Sequence, residues 1–465
     1  MIKTCLTAVR FGTDGWRALI AQDFTFDNVR LVAQAFAEHF IDIGAGEKGI
    51  AVGYDNRFQS ESFALAAAEI CSGAGIPTLL TSHSVPSPVL SYAVKNLGLT
   101  AGIMITASHN PPAWNGFKVK EAFGGSAFPE TTGAIEKRIK ERLLIKPSAH
   151  KLKYFDPDPP YLEKISSLVD IDLIKSRAIR FAVDPMFGSG IGYFKKLGLD
   201  AFEIRNRRDP LFGGINPEPL PVNLTESISY VQDLGLKYQR ELTACIVLDG
   251  DADRIAAIDG SGKFINTHNI FVLLLRHLFT HRKLSGEVIK TFNLSNLIDK
   301  LCQQYGLKLT VTPIGFKYIA QLMLERDILL GGEESGGMGI KGFIPERDGI
   351  LAGLMLLELM AYEKNSLAAI LDEIMREHGY FYYDRIDRHT PDAREIVKRL
   401  STEKPRNFAG MQIAGIDTLD GLKFKFTDES WILFRASGTE PLLRIYAEGR
   451  SPDEVKLILD AGEKL

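Results

Sequence analysis

The chain has 465 residues, more than one core can organise; domains of roughly 100–200 residues make three or four of them. Composition is that of a globular protein, with 45% apolar and 24% charged residues. A net charge of −3 supplies no basic field, which argues against nucleic acid or an anionic membrane surface as the main partner; an anionic substrate needs locally grouped Arg and Lys.

The N-terminal stretch MIKTCLTAVRFGTDGWR lacks the apolar core of a signal peptide. The longest apolar run, Ile350 to Leu357, stops at Glu358 and is too short to span a bilayer. Cys5, Cys71, Cys245 and Cys302 lie far apart with no Cys-x-x-Cys, which argues against a zinc site and fits a reducing compartment. A cytoplasmic location is the expectation. Strand-like and helix-like patterns alternate, so an α/β chain is expected. GIAVGYD (Gly49–Asp55) reads as a strand, and SESFALAAAEICSGAG (Ser60–Gly75) as a helix with a Ser N-cap and a Gly end.

Gly102-Ile103-Met104-Ile105 reads as a strand that runs into Thr-Ala-Ser-His-Asn-Pro-Pro, a polar turn presenting Ser108 beside His109. No Gly-x-Ser-x-Gly elbow surrounds Ser108, and an adjacent His109 in extended backbone points away from it, so no hydrolase triad is indicated. Lys118 follows in NGFK. The clearest linker is FDPDPPY, Phe155–Tyr161, with three prolines in seven residues. Ala178–Gly190 is another strand into a glycine loop. Softer boundaries fall near Asp259–Lys263 and His378–Gly379. The last stretch is compact, with strands at GLKFKF and SWILFR. Its final helix opens Ser451-Pro452-Asp453-Glu454: an N-cap, a Pro at the first helical position and a capping-box Glu. No sequence repeat is visible.

In Thr243–Arg254 a further strand delivers Asp249, Asp251 and Asp253 at i, i+2, i+4. Three carboxylates so close are costly unless a cation neutralises them, and oxygen-only ligands suit Mg²⁺ or Ca²⁺. An EF-hand is ruled out, because Arg254 and Gly260 stand where its Gly and Glu are required. GGEESGG (Gly331–Gly337) sets Glu333 and Ser335 on one face of extended backbone, with Glu334 pointing away; a carboxylate plus a hydroxyl suits vicinal sugar hydroxyls. RASGTEPLLRIY groups Arg435, Ser437, Gly438, Thr439 and Arg444, donors able to grip one anion. Together these are the parts for phosphoryl transfer on a phosphorylated sugar.

TASHNPP, DGDADR, GEESGG and RASGTEP resemble, in order and spacing, the four signature loops of the α-D-phosphohexomutases, the phosphoglucomutase/phosphomannomutase superfamily. FGTDGWR (Phe11–Arg17) resembles that family's N-terminal motif and TPIGFKYI (Thr312–Ile319) its domain-3 sugar-recognition loop. The resemblance spans nearly the whole chain. It implies four domains around a central cleft: three similar α/β mixed-sheet domains and a C-terminal α+β domain of TATA-binding-protein-like shape. The expected limits are 1–154 with the phosphoserine loop, 155–259 with the metal loop, 260–377 with the sugar loop and 378–465 with the phosphate loop. It also implies a phosphoserine at Ser108, Mg²⁺ held by Ser108, Asp249, Asp251 and Asp253, and interconversion of hexose 1-phosphate and 6-phosphate through a 1,6-bisphosphate. Lys118 is the candidate general acid/base, Arg17 a charge stabiliser and His109 a residue orienting the loop. Glu333, Ser335 and Lys317 would read the sugar; Arg435, Ser437, Gly438, Thr439 and Arg444 would hold the distal phosphate.

Dual mannose/glucose enzymes often carry His where this chain has Gly337 and Phe316. Gly315-Phe316-Lys317 resembles the aromatic-Lys pattern of phosphoglucomutases, and Glu334 departs from the Gln of the glucosamine type. Glucose is therefore the favoured hexose, with mannose not excluded. The rivals are a haloacid-dehalogenase-like phosphatase, with Asp249 as nucleophile, and a sugar-phosphate sensor; the first leaves Ser108 and RASGTEP without roles. Monomer and dimer both stay open.

Overall fold

The computed structural model of the chain describes residues 9–12, 14–43, 46–437 and 441–465. Its strands form four sheets. The first runs in the order Trp16–Leu19, Trp114–Glu121, Ala101–Ile105, Ile50–Tyr54, Thr78–Thr81, Leu152–Phe155. The second runs Phe264–Ile265, Ile255–Asp259, Thr243–Leu248, Arg180–Asp184, Phe202–Glu203, and the third Leu309–Thr312, Glu287–Thr291, Ile328–Gly332, Met338–Ile340.

One unit recurs in all three. A first strand gains a parallel second strand on one side and a parallel third on the other, and the chain then turns back antiparallel beside the third. The shared topology leaves no repeat in the sequence, because it is set by apolar runs and crossovers rather than by residue identity. The inner strands IAVGY, AGIMI and TACIVL are buried at every position, as expected of strands covered on both faces.

The fourth sheet is antiparallel throughout: Tyr382–His389, Leu442–Gly449, Trp431–Ala436, Leu422–Phe426, Met411–Asp417, Asn407–Phe408. One face packs on helices Ala393–Glu403 and Pro452–Glu463 through Ile432, Phe434, Ile396 and Ile458. The other turns Trp431, Leu433 and Tyr446 toward Phe292 of the third unit. Alternate residues of one strand thus serve two interfaces.

One apolar core runs through the first three units, beside a second large core within the first unit, and the helix Gly349–Glu363 lies inside the shared one, buried through Ala361. The apolar run 350–357 is therefore a core helix. Glu358, on its buried side, pairs with His277 at 2.7 Å and Arg282 at 3.1 Å. Among the described residues no helix is long and apolar enough to cross a membrane.

Two local expectations change. Gln59, in left-handed backbone, occupies the N-cap position of the helix Ser60–Gly73 without a side-chain cap; Ser60 is the first helical residue, and its hydroxyl donates to Asp55. The proline segment Phe155–Tyr161 is no free linker, because the helix Asp158–Ser166 starts inside it and buried Asp158 accepts from Tyr193 Oη at 2.5 Å. At the C-terminal helix Ser451 caps Glu454 N, and the Glu454 carboxylate accepts from Arg450 N at 2.6 Å. We propose the domain seams after Leu152–Phe155, after Phe264–Ile265 and at Gly379, where the sheets change over.

Candidate active site

All four motif loops close an antiparallel pair of strands. The serine loop joins Ala101–Ile105 to Trp114–Glu121, and the acidic loop joins Thr243–Leu248 to Ile255–Asp259. The GEESGG loop joins Ile328–Gly332 to Met338–Ile340, and the RASGTEP loop joins Trp431–Ala436 to Leu442–Gly449. The topology that repeats in the first three units therefore sets three loops in equivalent places.

Ser108 is fully buried, with φ at +51°, a strained position for a residue with a Cβ. Arg57 fixes that turn. Its guanidinium donates to the carbonyls of Ser108 (2.5 Å), Asn110 (2.6 Å), Pro111 (2.9 Å) and Trp114 (3.1 Å). Asp55 backs Arg57 at 3.3 Å and accepts from Thr106 Oγ1 at 2.6 Å. Arg17 reaches the same turn, donating to Asn110 Oδ1 at 2.6 Å. His109 is held neutral: burial pulls its pKa well below the usual range, and Arg254, Arg17, Lys118 and Arg57 push the same way. That suits an orienting role better than acid catalysis.

The serine and acidic loops touch. Ser108 Oγ donates to Asp249 Oδ2 at 2.7 Å. A Cβ on Gly250 would lie 2.5 Å from the Ser108 carbonyl, so glycine is needed there. Asp249, Asp251 and Asp253 are fully buried, and each offers an oxygen within 4.8 Å of the other two. Burial, then Asp253 and Asp251, hold the Asp249 carboxyl well above its usual pKa. Asp251 Oδ1 and Asp253 Oδ1 have no hydrogen-bond partner among the described residues. Orphaned, crowded, oxygen-only donors fit a hard divalent cation.

Positive side chains surround the triad. Lys118 Nζ contacts Asp14 (2.8 Å), Asp251 (2.9 Å) and Asp253 (3.2 Å). Burial opposes its charge, but those three carboxylates prevail and raise its pKa above an ordinary lysine's, so it stands as an ammonium. Arg347 contacts Asp14 (2.9 Å), Asp253 (3.0 Å), Glu346 (3.3 Å) and Glu333 (3.4 Å), tying the acidic loop to the sugar loop.

Glu333 is buried on Arg347, and Ser335 Oγ has no partner among the described residues. Glu334 points elsewhere, accepting from Arg385 Nη1 at 3.0 Å and Tyr383 Oη at 3.1 Å on the fourth sheet. Lys317 lies in the first turn of the helix Phe316–Glu325, its Nζ 5.1 Å from the Tyr318 ring. Arg435 and Arg444 are cross-strand partners. Arg435 pairs with Asp420 at 3.0 Å, Asp420 also accepts from Ile314 N in the Thr312–Ile319 loop, and Arg444 Nε has no hydrogen-bond partner among the described residues. Ser437 N closes the hairpin on Leu442 O at 2.8 Å; Gly438 and Thr439 lie outside the described residues.

Four sequence models described as phosphoglucomutase/phosphomannomutase cover this chain: alpha/beta/alpha domain I over 8–145, domain II over 159–262, domain III over 266–378, and the C-terminal domain over 394–464. The chain belongs to the phosphoglucomutase/phosphomannomutase family. It is 30% identical to a phosphoglucomutase/phosphomannomutase of Thermococcus kodakarensis over 98% of both chains. It is 28% identical to a phosphoglucosamine mutase of Methanocaldococcus jannaschii over 90% of this chain and 91% of the other. A crystal structure from Thermus thermophilus, provisionally named a phosphomannomutase, superposes with a TM-score of 0.88 at 35% identity over 98% of each chain. The chain is thus an intramolecular phosphotransferase with the four-domain fold of the α-D-phosphohexomutases, and no finding favours the haloacid-dehalogenase alternative.

Several residues at the centre of this phosphohexomutase escape sequence reasoning: Arg57, Asp14, Arg347 and Glu346. Asp14 stands inside FGTDGWR, so its signal was present. Arg57 in DNRF and Arg347 in PERDG read as ordinary turn residues, and only the fold brings four partners to each. Arg347 also bears on the two departures from the dual-specificity pattern. Its Cδ would lie 2.3 Å from a Cβ on Gly337, and its guanidinium carbon sits 5.5 Å from the Phe316 ring centre. Both positions are committed to packing Arg347.

Proposed function

We propose that the enzyme interconverts hexose 1-phosphate and hexose 6-phosphate, with glucose favoured, through a phosphoserine at Ser108 and a 1,6-bisphosphate. The observation that carries this reading is the hydrogen bond from Ser108 Oγ to Asp249, which puts the hydroxyl of one domain on the carboxylates of another. In the first transfer the P–Oγ bond of phosphoserine breaks and a P–O bond to the free sugar hydroxyl forms. Net, one proton passes from that hydroxyl to Ser108 Oγ. Lys118, already protonated, gives its proton to the leaving Oγ and regains one from the sugar. Arg17 and Arg57 hold the loop, and His109 stays neutral. The bisphosphate then turns over in the cleft, and the other phosphate returns to Ser108.

Mg²⁺ on Asp249, Asp251, Asp253 and an oxygen of the Ser108 phosphate would supply positive charge against the charge developing on the transferring group. Arg435, Ser437, Gly438, Thr439 and Arg444 hold the phosphate that is not reacting. Glu333 and Ser335 hold O3 and O4 in both orientations, and Lys317 flanks the sugar. The preference for glucose rests on Gly337 and Phe316 standing where dual mannose/glucose enzymes often carry His; both residues pack on Arg347 here. The test is a coupled assay of glucose 1-phosphate and mannose 1-phosphate, with catalytic 1,6-bisphosphate. Turnover of glucose 1-phosphate with a higher kcat/KM is expected; a clear mannose preference would reverse the sugar assignment while keeping the mutase.

A further inference from the structure

A cavity of about 440 Å³ opens between the second, third and fourth domains, and Ser335, Arg254, Glu334, Tyr383 and Arg385 help line it. Glu218 lines it too, from the loop Asn216-Pro217-Glu218-Pro219 that lies on the acidic loop. Gly250 N donates to Pro217 O at 3.2 Å, and Asn223 Nδ2 donates to Glu218 O at 2.9 Å, so the loop is pinned on both sides. The other carboxylates here are committed: Glu334 accepts from Arg385 and Tyr383, and exposed Asp384 accepts from Arg385 N. Arg254 lies 3.8 Å from Asp253, with its Nε lacking a hydrogen-bond partner among the described residues. Among the described residues the hydrogen bonds of Glu218 are on its backbone, and its carboxylate takes none. Burial raises its pKa above the usual value, against the pull of Arg254 and Arg385 and with the push of Glu334 and Asp387.

We infer that Glu218 reads the C2 substituent of the hexose phosphate and is a specificity-determining residue of this mutase. The inference rests on the proposed function. If the two phosphates occupy Ser108 and the arginine cradle, and Glu333 and Ser335 take O3 and O4, one donor of the pyranose is left, at C2. Among the described residues the cavity offers one carboxylate without a hydrogen-bond partner. Its ligand chemistry is a hydrogen-bond donor at C2, either a hydroxyl, as in glucose and mannose, or an ammonium, as in glucosamine. A site built to bond a substrate group rejects the analogue lacking it, because its own polar atom is then left unpaired.

The experiment compares kcat/KM for glucose 1-phosphate, 2-deoxyglucose 1-phosphate and glucosamine 1-phosphate in wild type, Glu218→Ala and Glu218→Gln. Wild type should favour glucose 1-phosphate over the 2-deoxy analogue by roughly tenfold to a hundredfold, the range for a hydrogen bond to a charged group. Glu218→Ala should lose that factor on glucose 1-phosphate and leave the 2-deoxy substrate nearly unchanged. Glu218→Gln keeps an acceptor, so it should retain part of the glucose preference while losing rate on the cationic glucosamine substrate. Equal losses on all substrates would assign Glu218 to support of the acidic loop and overturn the inference, as would a wild type indifferent to the 2-hydroxyl. Wild type inert toward every hexose 1-phosphate is a separate result, which sinks the mutase reading itself.

Discussion

Ser108 holds its left-handed backbone because Arg57 gathers four carbonyls of the turn around one guanidinium. A lysine cannot reproduce that planar fork. Arg57→Lys should therefore lower kcat by roughly tenfold to a hundredfold with little change in KM, because the turn serves the reacting atom rather than the sugar. A KM effect without a kcat effect would assign Arg57 to substrate binding. The triad gives a second residue-scale expectation. EDTA should abolish turnover and Mg²⁺ restore it, and Asp251→Asn should raise the Mg²⁺ concentration needed; a rate indifferent to chelation would make the triad structural. Ser108 and the triad stand out in the sequence as candidates because their chemistry is local, one hydroxyl in a turn and three carboxylates at alternate positions. Arg57 and Arg347 do not, because most of their partners come from distant segments that only folding brings together.

The helix Gly349–Glu363 shows how one element carries both stability and site. Asp348 caps it by accepting from Leu351 N at 2.9 Å, accepts from Tyr161 Oη at 2.8 Å, and follows Arg347 directly. Burial raises the Asp348 carboxyl to about 7 despite both hydrogen bonds. The folded protein thus binds a proton more tightly than the unfolded chain, whose Asp titrates near ~4. That contribution is complete below pH ~4 and is lost as pH rises toward 7. Asparagine keeps a capping oxygen without the titration. Asp348→Asn should flatten the pH dependence of the denaturation midpoint between about 4 and 7, with its largest relative gain at and above neutral pH. An unchanged pH profile would mean that Asp348 is ionised throughout. Boundaries at this scale were only partly legible. FDPDPPY signalled a break by its prolines, yet Asp158 is buried against Tyr193 and Lys196 of the second domain, a contact no local pattern reveals.

Across the molecule one apolar core ties the first three domains together, beside a second core within the first, whereas the fourth takes no part in that shared core and joins the third through Phe292, Trp431, Leu433 and Tyr446. The fourth domain should therefore open as a separate cooperative unit. Hydrogen exchange in moderate denaturant should lose protection in 382–449 together, before the strands of the first three domains; one simultaneous transition would contradict that division. The four-domain architecture was legible through its motif loops, but the threefold topology was not, because strand order leaves no trace in residue identity. The whole proposed cycle depends on Ser108 carrying the phosphate that the substrate receives. Wild type should be charged with hexose 1,6-bisphosphate labelled in phosphorus, the phosphopeptide mapped, and the label chased with unlabelled hexose 1-phosphate. Label should appear on Ser108 and pass to the sugar as bisphosphate, with no labelling in Ser108→Ala. Label on Asp249, or label released as inorganic phosphate during the chase, would contradict that role.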